Sequence, residues 1–162
     1  SCDYGTVNPA SFGLWGSCGD VWYRLKEYYY SSRHEGTQKT DEEYYAELEK
    51  LAEGCKIEAV VADPSAASFI ECIRRHGKFT VMPAKNDVAD GIRRVADMLK
   101  SRRIIINQSC ADSIREFSLY CWDEAAGRDV PVKENDHAMD DIRYFVNTVI
   151  AKSTAKFIDI DI

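Results

Sequence analysis

Three aspartates stand in distinct local settings: Asp3 in Asp3-Tyr4-Gly5, Asp63 closing Val60-Val61-Ala62-Asp63-Pro64, and Asp140 in Asp136-His137-Ala138-Met139-Asp140. The first two sit in or end apolar runs of β type, and the third opens a helical stretch. Carboxylates delivered by separate elements, far apart in sequence, are what a hard divalent cation such as Mg²⁺ or Mn²⁺ requires, because these ions prefer oxygen ligands. Two such ions stabilise both the attacking and the leaving oxygen when a phosphodiester is cleaved. The chemistry these acids point to is metal-dependent hydrolysis of nucleic acid.

The third segment is the sharpest. Three residues apart on a helix, His137 and Asp140 share one face, turned away from the Ile142, Phe145 and Val149 stripe. A histidine one turn from a carboxylate can orient it, bind a second ion or shuttle a proton. Asp136 and Asp141 read equally as acids complementing the helix dipole. Asp63 also reads as a helix cap before Pro64, and Asp3 as a turn residue ahead of Gly5. His34 and His76 read as structural or surface residues, and Tyr28-Tyr29-Tyr30 as strand packing rather than a base-stacking platform.

The elements that must position these residues follow from pattern. A first strand carrying Asp3, then aromatic and aliphatic runs at 11–15 and 20–30 separated by Gly16 and Gly19, predict three antiparallel strands. Thr40 with Glu43 three residues on forms a capping box for a helix that stops at Gly54. Residues 57–62 form a short buried strand of parallel type. Pro64 then fits the first turn of a helix carrying Phe69, Ile70 and Ile73 and ending at Gly77. A strand at 79–82, a helix capped by Asn86 or Asp87, a strand at 104–106 and a helix near 112–117 follow. A hairpin, 119–122 with 129–132, precedes the last helix, which starts near Asp136. The expected class is α/β: a mixed sheet of three antiparallel strands and then parallel strands, flanked by helices, with a β-hairpin before the last helix.

Composition sets limits. The 162 residues fit one domain with its own core. No apolar run approaches the ~20 residues of a membrane span, and the N-terminus lacks the basic and apolar regions of a signal peptide. The six cysteines show no Cys-x-x-Cys and no partner histidines, which argues against zinc and disulfides and for a reducing cytosol. A net charge of −6 is awkward for binding phosphates. Arg74-Arg75, Arg93-Arg94 and Arg102-Arg103 read as solvated helix ends, so tight binding of DNA is expected to need something outside this chain.

With these residues in view, the chain resembles the C-terminal nuclease domain of the large terminase subunit of tailed bacteriophages, a ribonuclease H-like fold of the retroviral integrase superfamily. Asp3-Tyr4-Gly5 with Asn8-Pro9, Val61-Ala62-Asp63-Pro64-Ser65, and the block from Asn135 to Tyr144 carry the match in order. The resemblance implies metal binding by Asp3, Asp63 and Asp140, with His137 beside them. It also implies two Mg²⁺ or Mn²⁺ ions and cleavage of double-stranded viral DNA during genome packaging. Family members often carry a small residue after the last acid, whereas Asp141 stands here, so the ligand is Asp140, Asp141 or both. The implied partners are DNA, the terminase small subunit, the portal protein and an N-terminal ATPase domain, in the cytoplasm of the infected bacterial host and away from membrane. No Gly-x-x-x-x-Gly-Lys-Ser/Thr loop occurs, so residues 1–162 are expected to be one nuclease domain excised from a longer chain. The rival readings are an actin-like or sugar-kinase ATPase built on Asp3-Tyr4-Gly5-Thr6, an inactive DNA- or portal-binding module of the same fold, and a junction resolvase.

Overall fold

The computed structural model describes residues 1–127 and 129–151. The stretch of the expected domain at 152–162, and Arg128 in the expected hairpin, lie outside the described residues.

Strands β1 (Cys2–Asp3), β2 (Ala10–Cys18) and β3 (Val21–Tyr30) pair antiparallel in sequence order. The β2–β3 turn is Gly19-Asp20, where Gly19 supplies the positive φ of 58° that a two-residue hairpin turn favours. Gly16 lies inside β2 and is not a turn. A register shift between Leu14 and Trp15 bends the hairpin. A short helix α1 (Ser32–Glu35) leads to α2 (Asp41–Leu51). The Thr40 capping box is present, with Glu43 N–H donating to Thr40 Oγ1 at 3.3 Å and Thr40 N–H to Glu43 Oε2 at 2.7 Å.

Strand β4 (Val60–Ala62) is fully buried and shorter than its apolar run. It is followed by α3 (Ala67–His76), β5 (Val81–Pro83), α4 (Ala89–Lys100) and β6 (Ile104–Ile106). Then come α5 (Ala111–Leu119) and α6 (His137–Phe145), which runs on in wider, π-helical turns over Val146–Ile150. The cap expected for α4 is not formed: Val88 holds the N-cap position without a side-chain bond, and Asn86 is engaged elsewhere. The hairpin before α6 is reduced to a single bridge, Trp122 with Pro131, around a 3₁₀ turn at Glu124–Ala126.

The sheet order is β5-β4-β1-β2-β3-β6. β4 runs parallel to β1 and β5 to β4, while β6 runs parallel to β3 at the far edge. All strands except β2 therefore point the same way.

Alternation along the strands divides the side chains between two cores. Cys2, Phe12 and Ala62 face α2 and α3, whose Tyr44, Leu48, Phe69 and Ile73 complete one core. Tyr4 and Phe12 both stack on Phe69, with ring centroids 4.7 and 5.5 Å away. Ile142, Phe145 and Val146 pack with Trp15, Trp22 and Leu99 in the other core. The Tyr28–Tyr30 run divides likewise. Tyr28 and Tyr30 join the first core, and Tyr29 faces the second, where its hydroxyl donates to buried Glu116 at 2.6 Å.

Candidate active site

Asp3 ends β1 and Asp63 follows β4. These strands are parallel neighbours with Cys2 opposite Ala62, so the two acids leave the sheet side by side at its carboxyl edge. Here the chain also changes the direction in which it adds strands, with β2 on one side of β1 and β4 on the other. Open α/β sheets bind ligands at such a point. Because alternation sends Cys2 toward α3, Asp3 turns to the opposite face and meets α6.

Helix α6 begins where local chemistry permits. Asn135 adopts φ 53°, a left-handed conformation that asparagine tolerates, and its Oδ1 accepts from Arg115 at 3.0 Å. Glu116 accepts the Ala138 N–H at 2.7 Å, satisfying a first-turn donor and placing negative charge at the positive end of the helix. This start sets His137 Nδ1 2.9 Å from Asp3 Oδ2 and brings Asp140 to the same cleft. The cleft, of about 900 Å³, is also lined by Tyr29, Arg33, His34, Arg115, Lys133 and Asp136.

Asp63 stands behind this cleft rather than in its lining, and a relay of hydrogen bonds ties it to Asp140. Its Oδ1 accepts the Ser65 N–H at 2.7 Å, and its Oδ2 accepts Asn86 Nδ2 at 2.8 Å. Asn86 Oδ1 accepts Arg143 NH1 at 2.9 Å, and Arg143 NH2 lies 2.8 Å from Asp140 Oδ1. The second Asp140 oxygen faces Lys133 Nζ at 3.6 Å. Asp63 is not the cap of α3: Ala66 holds the N-cap position without a side-chain bond, so Pro64 precedes the helix instead of opening it, and Asp63 holds the turn after β4. The same carboxylate is also bound into the site.

Charge is crowded here. Burial pushes Asp3 up to about 6, and repulsion from Asp140 and Asp141 adds to this against the relief given by His137. Burial works to lower His137, but the hydrogen bond and charge of Asp3 outweigh it and raise the imidazole. Burial works to raise Asp63, and the Ser65 and Tyr144 hydrogen bonds with the Arg143 charge bring it below the ordinary carboxylate range. The Tyr144 hydroxyl is raised by burial and then by the charges of Asp3, Asp140 and Asp63.

Asp141 takes no part in the cleft lining. It is fully buried, with Oδ2 2.7 Å from Arg24 NH2 and accepting from Ser11 Oγ at 3.1 Å. Asn86, Arg143, Tyr144 and Lys133 were missed in the sequence. Arg143 and Tyr144 carried a signal, since they lie three and four residues after Asp140 on one helix. Asn86 carried none, because its position before α4 reads as a cap. Of the basic pairs, Arg74 and Arg75 do close α3, whereas Arg93 reaches Asp90 and Asp129 and Arg94 bonds Asn147 within α4's surroundings.

A mixed sheet in this strand order, with acids at the carboxyl ends of β1 and β4 and another on the last helix, is the architecture of a ribonuclease H-like nuclease domain. The model of the family described as terminase RNaseH-like domain matches residues 6–148, and the chain belongs to that family. It resembles the large terminase of a thermophilic bacteriophage, solved with ADP, at 52% identity and a TM-score of 0.90, over 93% of this chain and 39% of that one. It is 24% identical over 133 residues to the terminase large subunit of Escherichia phage T5, covering 78% of this chain and 30% of that protein. The nuclease domain of the bacteriophage SPP1 large terminase, solved with bound Mn, shares the fold at a TM-score of 0.60 and 18% identity, over 88% of this chain and 80% of that one. The chain thus spans well under half the length of the thermophilic-phage and Escherichia-phage proteins.

Proposed function

We propose that residues 1–162 act as one nuclease domain that cuts double-stranded viral DNA during genome packaging. Asp3, Asp63 and Asp140 hold two Mg²⁺ or Mn²⁺ ions, with His137 beside them. The observation that carries this reading is the parallel pairing of β1 with β4, which brings Asp3 and Asp63 to neighbouring strand ends. Asp3 lies against His137 of α6, and Asp63 is tied through Asn86 and Arg143 to Asp140.

The residues fit such ions. The donors are oxygen atoms suited to hard cations. The cluster already draws cationic groups, since Lys133 Nζ lies near Asp140 Oδ2 and His137 Nδ1 lies 2.9 Å from Asp3 Oδ2. Bound ions would supply Lewis-acid stabilisation of the attacking and leaving oxygens. The chain's own residues do the rest. Arg143 and Asn86 keep the Asp140 and Asp63 carboxylates aimed, and His137 exchanges a proton with Asp3 and the cleft.

Arg33, Arg115 and Lys133 line the cleft and offer phosphate contacts, while the net charge of −6 gives little long-range attraction to DNA. Firm engagement then depends on other parts of the packaging machinery: the N-terminal ATPase domain, the small subunit and the portal protein, in the cytoplasm of the infected host.

The rival phosphate-loop reading of Asp3-Tyr4-Gly5-Thr6 fits poorly. A Cβ on Gly5 would collide with the Asn8 carbonyl oxygen and lie 2.6 Å from that of Pro9, so the loop closes on itself. Its Gly5 carbonyl accepts the Tyr44 hydroxyl at 3.1 Å instead of leaving the turn open to a phosphate.

The test is incubation of the purified domain with supercoiled plasmid in Mn²⁺, in Mg²⁺ and in EDTA. Nicking and linearisation that need the divalent ion support the proposal. Cleavage undiminished by EDTA, or a melting shift with ATP and none with Mn²⁺, would sink it.

A further inference from the structure

A second cluster with metal-ligand chemistry lies on the other face of the sheet. Cys72 and His76 are four residues apart on α3 and so share a helical face, and Glu42 approaches them from the first turn of α2. The ligand atoms of these three residues lie within 4.8 Å of one another. The acids of the cleft do not form such a tight group among the described residues. The cysteines were expected to lack partner histidines, and for Cys72 that does not hold.

We propose that Glu42, Cys72 and His76 form a Zn²⁺ site that ties α2 to α3. Thiolate, imidazole and carboxylate are the ligand types of zinc, and bonds of about 2.0–2.3 Å put the ligands of one tetrahedral ion roughly 3.3–3.8 Å apart. The residues are also held in place. His76 stacks on Tyr45 with ring centroids 3.8 Å apart and planes 6° from parallel, which fixes the imidazole. Its Nε2 lies 2.7 Å from Glu42 Oε2, and Arg75 NH2 holds the other carboxylate oxygen, Oε1, at 2.6 Å. Arg75 thereby leaves a single oxygen of Glu42 directed at the histidine, and an ion entering there replaces the His76–Glu42 contact. Cys72 forms the buried floor, 1% exposed, while His76 and Glu42 open to solvent. The fourth position falls on the solvent side and is left to water.

The two sites differ in ion as well as in place. A sulfur and a nitrogen ligand select a softer ion than the carboxylates of the cleft, so Mg²⁺ or Mn²⁺ and Zn²⁺ sort between them. Binding takes a proton from the Cys72 thiol, which burial raises above its ordinary value, so zinc affinity climbs with pH. The structural consequence is a staple beneath the acids. α3 carries Phe69, on which Tyr4 stacks directly after Asp3, and the Tyr4 hydroxyl donates to Asp41 of α2.

The experiment titrates the full, reduced chain with Co²⁺ in excess Mg²⁺, followed by Zn²⁺. One equivalent of Co²⁺ is expected to give a near-ultraviolet thiolate-to-metal band with tetrahedral visible absorption, and Zn²⁺ to bleach both. Oxygen ligands in the cleft cannot produce the thiolate band. Cys72→Ser should abolish it. His76→Gln and Glu42→Gln, at exposed positions that tolerate substitution, should lose it at the Co²⁺ concentration that saturates the wild type. Absence of the band in the wild type, its survival in Cys72→Ser through exposed Cys18, Cys55 or Cys121, or its survival in both other variants overturns the site.

Discussion

Asp140 and Asp141 are adjacent in sequence yet are held by different arginines: Arg143 NH2 lies 2.8 Å from Asp140 Oδ1, and Arg24 NH2 lies 2.7 Å from Asp141 Oδ2. Asp140 reaches the cleft. Asp141 is sealed beneath β2 with Ser11. Both carboxylates are paired, so one step along α6 separates an acid that opens on the cleft from one closed off in the core.

Substitutions should divide the two. Asp140→Asn and Asp63→Asn are expected to suppress plasmid cleavage by orders of magnitude with the fold intact, because only ligand charge is removed. His137→Ala should reduce the rate less. Asp141→Asn is expected to keep most activity per folded molecule and to cost stability. Breaking a buried pair by removing one partner typically costs about 3–5 kcal/mol. Parallel nicking assays and thermal melts check this, and a stable but inactive Asp141→Asn would move the ligand to Asp141.

The relay through Asn86 carries its own consequence. Asn86→Ala removes the Asn86 bond from Asp63 Oδ2 and leaves Arg143 NH1 with only the longer bond to the Asp87 carbonyl, at 3.3 Å. Loss of such an outer partner typically lowers metal affinity or activity by about 10–100-fold. Activity measured against Mn²⁺ concentration should show a raised requirement for the ion. An unchanged Mn²⁺ dependence would mean that the relay does not aim the acids.

The raised Asp3 makes stability depend on pH with a definite sign. With Asp3 at about 6 in the folded chain, above its unfolded value, the folded state keeps a proton that the unfolded state releases. That contribution is complete below pH ~4, the unfolded value, and is lost as pH rises through ~6. His137, raised by the same contact, acts in the same direction. Asp3→Asn, which cannot titrate, should therefore gain on the wild type between pH ~4 and ~7.5, by about 1–3 kcal/mol from a shift near two units. Melting curves without metal test the gain, and saturating Mn²⁺ should raise the wild type alone. A gap that stays constant across this range would refute the assignment.

Packing behind the site yields a further test. A Cβ on Gly91 of α4 would collide with Asn147 Nδ2 and stand 2.7 Å from Arg143 Cγ. Gly91→Ala should cost about 1–3 kcal/mol by overpacking. It should also lower cleavage, since the stem it displaces carries the guanidinium that aims Asp140. Full activity in a destabilised Gly91→Ala would show that Arg143 shifts without consequence.

Local pattern determined much of this protein. The Thr40–Glu43 capping box, the Gly77 stop of α3, the buried run before Asp63 and the shared face of His137 and Asp140 are properties of residues a few positions apart. Backbone periodicity and turn chemistry write these directly into the sequence. The Cys72–His76 spacing was equally local but remained silent without Glu42 opposite it. Tertiary structure decided the remainder. Pairing of β1 with β4 set Asp3 beside Asp63, and β6 went to the far edge against β3. Asn86 was drawn from a helix cap to Asp63, 23 residues away, and Asp141 was taken by partners 117 and 130 residues away. Such choices depend on which buried charges find partners once the sheet and α6 are packed. Burying an unpaired carboxylate or guanidinium is costly, so the assembled core, and not the local spacing, selects which acid is left facing the cleft.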